Sequence, residues 1–287
     1  MTLILLLSFI AISCSTQKSI HSSPDDKKAT LYYENGTSKL IKKDYTAALK
    51  NFLSAEKLRE DDTKIQNNLG MAYWFKKQDR LAIQHLKRAI EIDEENSDAR
   101  NNLASIYFQQ KKYDLALLEY KTILKDLVYA NQYRTYYNIA LIFDKKQDQI
   151  TMMENLEHSL KEKDDYCPAH FKIGQHYYNT RRYEKALESF HQSSLGVCTK
   201  SPGPFYWKAK SLAAQKRYFK AKREFKDLIK KFPRSSYARS AIQEITRIRK
   251  QELLSEKIRE QNYRFRGNEK SLQSKKEELL DLETPDF

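Results

Sequence analysis

Residues 65–92 read IQNNLGMAYWFKKQDRLAIQHLKRAIEI, and residues 99–124 read ARNNLASIYFQQKKYDLALLEYKTIL. Aligned on the shared Asn-Asn-Leu, the two stretches place a small residue, Gly70 or Ala104, directly after it. The same small position recurs as Gly36, Gly70, Ala104, Ala140, Gly174 and Ala209, at spacings of 34, 34, 36, 34 and 35. Twelve residues further on lies a second row, Ala48, Ala82, Ala116, Met152, Ala186 and Ala221. Four residues after that comes a large apolar row: Phe52, Leu86, Tyr120, Leu156, Phe190 and Phe225. A fixed period of this size marks an array of supersecondary units. Apolar residues within each half-period recur at helical spacing, so each unit reads as two helices joined by a polar turn such as KKQD.

Composition agrees with an all-α chain. Only 6 glycines and 6 prolines occur in 287 residues, against 19 tyrosines. Gly-rich phosphate loops and multi-turn β folds need more of the flexible residue. The formal net charge is +14. Its distribution is uneven: 15 Lys and Arg against 3 Asp and Glu fall between Pro202 and Lys250. A solvated helix face normally mixes signs, so residues 202–250, with Lys222, Arg223 and Lys226 as their basic end, are expected to attract something anionic.

The three rows resemble the tetratricopeptide (TPR) repeat. That resemblance implies a right-handed α-solenoid of about six helix hairpins with a C-terminal capping helix. The units fall at about 29–62, 63–96, 97–130, 133–166, 167–200 and 202–235. Residues 236–262 are expected as the capping helix, with Ser235 or Ser236 as its N-cap. Residues 263–287 are charged and expected as a loose tail. Met152 breaks the alanine row, so the fourth unit is expected to pack less tightly. Cys167 opens the first helix of unit five and Cys198 closes its second. An antiparallel hairpin brings those ends together, so a Cys167–Cys198 disulfide is expected, the alternative being two buried thiols.

At the N-terminus an apolar block, LILLLSFIAI at 3–12, is too short to span a bilayer and suits a signal-peptide core. Ala11-Ile12-Ser13-Cys14 resembles the lipobox of bacterial lipoproteins, in which the cysteine is lipidated. The alternative is an ordinary secretory signal with an incidental cysteine. The lipobox reading makes 1–13 a lipoprotein signal peptide, Cys14 the lipid-bearing residue, and 14–28 a flexible tether. Ser15 after the cysteine leans toward the periplasmic face of the outer membrane. A lipid-tethered stack of six TPR units resembles the type IV pilus pilotins of the PilF, PilW and Tgl kind. That implies a non-catalytic role in secretin assembly, with the secretin as partner. Similarity to cell-wall scaffolds such as NlpI and to assembly lipoproteins such as BamD gives the alternatives.

Motifs for chemistry are absent from the sequence. None of His21, His85, His158, His170, His176 and His191 forms an HExxH pair, and no Cys/His cluster has zinc spacing. There is no GxSxG, P-loop or GxGxxG. No catalytic, metal or cofactor site is therefore expected, and no nucleic-acid partner. A TPR stack instead offers a groove lined by first helices. Unit positions 2, 5, 6, 9 and 12 share a face by helical periodicity. They hold Tyr33, Asn67, Asn68, Met71, Trp74, Asn101, Asn102, Phe108, Tyr137, Asn138, Leu141, Phe171, Tyr178 and Tyr206. Asparagine amides both donate and accept, so they can hold an extended peptide backbone, and aromatic faces can hold its apolar side chains. The alternative is that these residues merely satisfy and pack their own stack.

Overall fold

The computed structural model describes residues 23–281, with side chains to 264. The expected signal peptide 1–13 and Cys14 lie outside the described residues, as do 282–287. Among the described residues the chain forms six antiparallel helix hairpins. They are α1 Pro24–Ile41 with α2 Tyr45–Glu56, α3 Thr63–Phe75 with α4 Asp79–Ile92, and α5 Ser97–Gln109 with α6 Tyr113–Ile123. The next three are α7 Gln132–Lys145 with α8 Gln149–Glu162, α9 Cys167–Asn179 with α10 Tyr183–Ser193, and α11 Pro202–Ala214 with α12 Tyr218–Lys231. A final helix, α13, runs Ser236–Asp281. No described helix is long and apolar enough to cross a membrane.

One backbone device closes all six hairpins. The residue two past the last helical one takes a left-handed conformation: Lys43, Lys77, Lys111, Gln147, Arg181 and Lys216, each with φ of 60–62°. In the second hairpin, Gln78 N–H donates to the Tyr73 carbonyl and Lys77 N–H to that of Trp74. This is the Schellman pattern, which satisfies carbonyls that the helix end leaves open. The other five hairpins repeat it at equivalent positions. Two of the six second helices then start on an aspartate, Asp44 or Asp148, whose carboxylate accepts from the Ala47 or Thr151 amide.

The three sequence rows form the core. Phe52, Leu86, Tyr120, Leu156, Phe190 and Phe225 are all buried. Each sits opposite the small residue of its own first helix. A methyl group on Gly36 would lie 2.6 Å from the Phe52 ring, and one on Gly174 would lie 2.7 Å from that of Phe190. Those two glycines are therefore there for close approach, not for a turn. Met152 corrects the expectation of a loose fourth hairpin. It is buried in a cluster with Ala140, Leu156, Ala169 and Ile173, because an unbranched, adaptable thioether can fit the place that alanine takes in the other hairpins.

The chain divides into two compact halves, Met1–Asp126 and Leu127–Phe287. The N-terminal half holds three hairpins. Its first helix begins at Pro24 with a capping box between Ser23 and Asp26, inside the stretch 14–28 expected as tether. The C-terminal half holds the other three and α13. The start of α13 is capped by Ser235, whose hydroxyl accepts from Ala238 N–H. Ala238, Ala241, Ile245 and Ile248, on one helical face, close the cluster of Tyr206, Leu212, Phe225 and Leu228. The helix continues past the expected end at 262 to Asp281, so much of the expected loose tail is helical. Its lysines, glutamates, glutamines and leucines are good helix formers and no proline interrupts them before Asp281. Cys167 and Cys198 form a disulfide with Cα atoms 6.2 Å apart. Cys198 lies in a short 3-10 turn, Gly196–Lys200, beyond the end of α10.

Candidate functional site

In the N-terminal half, side-chain amides tie the three first helices together. Asn102 Nδ2 on α5 donates to Asn67 Oδ1 on α3 at 2.8 Å. Asn67 Nδ2 donates to Asn68 Oδ1, and Asn68 Nδ2 to Thr37 Oγ1 on α1, both at 3.3 Å. The Thr37 hydroxyl ends the chain on the Tyr33 carbonyl at 2.9 Å. Every donor points the same way along this ladder. All three amides are half-buried. An amide offers two donors and two acceptor positions, so the ladder leaves capacity on the solvent side. The ladder satisfies the stack, as the alternative reading had it, and also fixes the rotamers of the groups on display. Met71, Trp74, Asn101 and Phe108 lie half-buried on the same helices. Lys77 Nζ sits 5.8 Å from the Trp74 ring centre, and Phe108 tilts on Tyr113 at 5.7 Å.

Several expected groove residues are instead part of the packing. Tyr33 tilts on Phe52 at 6.1 Å, Phe171 on Phe190 at 5.7 Å, and Tyr206 on Phe225 at 5.7 Å. The reason is common to all three. An aromatic three residues before the small position is drawn toward the large ring that the small position admits. Tyr206 is buried outright. Tyr137 packs edge-on against Tyr166 at 5.4 Å. Burial, then Asp144, raises the Tyr137 pKa above the usual tyrosine value. Burial foremost pushes Tyr166 up to about 12. Asn138 and Leu141 are half-buried on α7.

The C-terminal half carries a cleft that the sequence reading did not assemble. It holds about 310 Å³ and is lined by Tyr178, Tyr183, Lys210, Tyr218, Glu244 and Arg247, among others. Lys210 Nζ lies 4.9 Å from the Trp207 ring centre, 5.7 Å from Tyr178 and 5.8 Å from Tyr206. Tyr178 meets Trp207 edge-on at 5.0 Å and Tyr183 at 5.5 Å. Burial raises the pKa of Tyr178 and of Tyr206. The signal available in sequence was Trp207 and Lys210, three apart on one helix face. Glu244 and Arg247 enter from the capping helix, a long-range contribution with no local signature.

The basic end is partly self-neutralised. Lys222 Nζ reaches both oxygens of Glu252 on α13, at 2.7 and 2.8 Å. It acts as a clamp rather than an open charge. Arg223 and Lys226 are exposed. His170 bonds the Asp164 carbonyl at 2.7 Å and His176 the Gln149 side chain at 3.1 Å, each fastening neighbouring elements. Among the described residues no group of three or more His, Cys, Asp or Glu side chains could hold a metal ion.

Comparison with known proteins bears on the fold. Three tetratricopeptide repeat profiles match, at residues 63–96, 80–128 and 205–235. The chain has a TPR-repeat scaffold fold. Among solved structures it is similar to PilF of Pseudomonas aeruginosa, at 16% identity and a TM-score of 0.66, over 77% of this chain and 100% of that one. It is similar too to PilW, described as a widely conserved type IV pilus biogenesis factor, at 15% identity and a TM-score of 0.64, over 75% and 98%. Cut9–Hcn1 of the APC/C follows at 14% and 0.63, over 79% of this chain and 44% of that one. At such identities the likeness is one of architecture. Among curated proteins no sequence matches.

Proposed function

We propose that this chain is a non-catalytic, protein-binding TPR lipoprotein held by lipid on Cys14 at the periplasmic face of the outer membrane. The finer reading is a pilotin: the first-helix face of the N-terminal half holds an extended segment of the secretin while the lipid delivers it. The observation that carries the binding reading is the amide ladder from Thr37 to Asn102. Pre-set amides on α3 and α5 joined to the Thr37 hydroxyl on α1, with Trp74 and Phe108 about two turns further on, suit a peptide backbone with apolar side chains. Pre-organisation of this kind lowers the entropic cost of binding. The likeness to PilF and PilW over nearly their whole length supports the pilus assignment over other TPR adaptors.

The test is titration of the mature protein against the partner that co-purifies with it from envelopes. Truncating an aromatic interface anchor typically costs about 2 kcal/mol or more, roughly thirtyfold in affinity. Trp74→Ala combined with Phe108→Ala is expected to weaken capture by at least that while helix content stays constant. Unchanged affinity would remove this face from consideration. Deletion of the gene is expected to abolish secretin multimers. Intact multimers with altered cell-wall hydrolase activity would move the assignment to an envelope scaffold.

A further inference from the structure

We propose that the hairpin-turn edge of the N-terminal half docks on a bilayer surface that carries anionic lipid headgroups. The edge is built by topology. The three first helices lie side by side in the same direction, so their C-terminal turns share one side of this half. Two contacts fasten turn to turn: Lys76 Nζ donates to Thr46 Oγ1 at 2.9 Å, and Gln110 Nε2 to Asp79 Oδ2 at 3.2 Å.

Each turn presents a pair of lysines: Lys42 and Lys43, Lys76 and Lys77, Lys111 and Lys112. All six are exposed, and among the described residues none makes an ion pair. Asp44, Asp79 and Asp114 on the same edge offset only part of this charge. The opposite edge has the other sign. Its two inter-hairpin loops, 57–62 and 93–96, hold Glu60, Asp61, Asp62, Asp93, Glu94 and Glu95 against Lys57 and Arg59. The half is therefore polarised across its helices, and a negative surface would orient it turn-edge down.

Two further observations distinguish a bilayer from a simple solvated edge. The left-handed turn position favours glycine, since a side chain there is strained. Here it holds Lys43, Lys77 and Lys111. The position is non-glycine in every hairpin, and in these three turns it is a lysine each time. Beside the lysines stand exposed apolar side chains, Ile41 at 77% and Leu115 at 45% exposure, with the outer face of Phe75, whose ring stacks on Tyr45 at 4.8 Å. Cations flanked by protruding apolar groups match an interface in which headgroups overlie acyl chains. The C-terminal half departs from the pattern: Arg217 is half-buried and ion-paired with Glu184 at 3.5 Å, and the left-handed residue of its first turn is the uncharged Gln147.

The experiment is flotation of the full chain with phosphatidylcholine vesicles, with and without phosphatidylglycerol. The apolar N-terminal block contributes equally to both, so the increment due to phosphatidylglycerol is the readout. Each cation near such a surface contributes about 1 kcal/mol, so the increment is expected to be at least about tenfold. High salt should erase most of it. Replacing the six turn lysines by Gln is expected to abolish the increment with helix content unchanged. Removing six exposed lysines elsewhere in the same half (Lys27, Lys28, Lys57, Lys87, Lys121, Lys125) should preserve it. Ile41→Ser should lower the salt-resistant remainder severalfold. Equal loss in the two lysine variants, or binding by the turn variant like wild type, overturns the proposal. So does displacement of the protein by a soluble acidic peptide with no effect of Ile41→Ser, which would identify an acidic protein partner instead.

Discussion

The two halves share a backbone and differ in what they place on it. Both close every hairpin with the same left-handed turn and the same small-against-large contact. The N-terminal half then lines its first helices with amides and has no covalent link among its described residues. The C-terminal half has a disulfide, a ring-lined cleft around Lys210, and α13 as a lid over its last core cluster. The divergence is concentrated at one place in the repeat, three residues before the small one. Asparagine there, as Asn67 and Asn101, leaves an amide on the face. An aromatic there turns inward to the large ring, as Phe171 and Tyr206 do in the C-terminal half and as Tyr33 does in the first hairpin of the N-terminal half. Repeat energetics come from each hairpin and its neighbour interfaces, so such local choices can alter a face without altering the stack.

The sharpest separation of the halves is expected from the disulfide. Its cysteines are 31 residues apart, and closing a loop of that length stabilises by about 3 to 4 kcal/mol in the chain-entropy model. Cys198→Ser should lower hydrogen-exchange protection across α9–α12 by that amount and leave α1–α6 unchanged. Equal loss of protection in both halves would show that they unfold as one cooperative unit and erase the distinction drawn between them.

Gly36 and Gly174 test whether the shared core device has the same strength in both places. An added methyl meets a phenylalanine ring at 2.6 Å in one and 2.7 Å in the other. Overpacking of that kind typically costs about 1 to 3 kcal/mol. Gly36→Ala should lower the melting temperature of its half more, since the other half is held by its disulfide and cap. Denaturation followed by segment-resolved exchange reads both. A larger loss for Gly174→Ala would mean that the rings in the C-terminal half, Phe171 and Trp207 against Phe190, are less able to shift.

The fold was legible because its determinants are local and repeated. Three rows at a fixed period place the small, alanine and large residues, and those rows are the buried core. The disulfide was legible for the same reason, since Cys167 opens one hairpin and Cys198 follows it closely, in the 3-10 turn after α10 rather than in the helix itself. Two kinds of information were not local. The inward turn of Tyr33, Tyr137, Phe171 and Tyr206 depends on what stands across the gap, which helical periodicity cannot tell. The Lys210 cleft depends on Glu244 and Arg247 from α13, brought in by the capping contact. The Lys222 clamp likewise has no local signature, because Glu252, its partner, is 30 residues away along the chain. The burial of Met152 is not legible either, because a break in the alanine row says nothing of how an adaptable side chain fills space.

The smallest effect is the one that bears on both halves at once. The left-handed turn residue is non-glycine in all six hairpins. An L-residue held there costs about 1 to 2 kcal/mol, and glycine returns part of that through its greater freedom in the unfolded chain. Lys77→Gly in the N-terminal half and Arg181→Gly in the C-terminal half should therefore each stabilise by up to about 1 kcal/mol, seen as a higher denaturation midpoint at unchanged slope. Equal gains would show that the turns are interchangeable and that the halves differ only in side chains. The same Lys77→Gly protein should bind phosphatidylglycerol vesicles less well than wild type. A stabilised protein that has lost part of its lipid increment would separate the two demands on that position, charge at the edge and relief of backbone strain. If Lys77→Gly instead destabilises, then the contact of Lys77 with the Trp74 ring outweighs the strain, and the lysine is there for packing rather than for the edge.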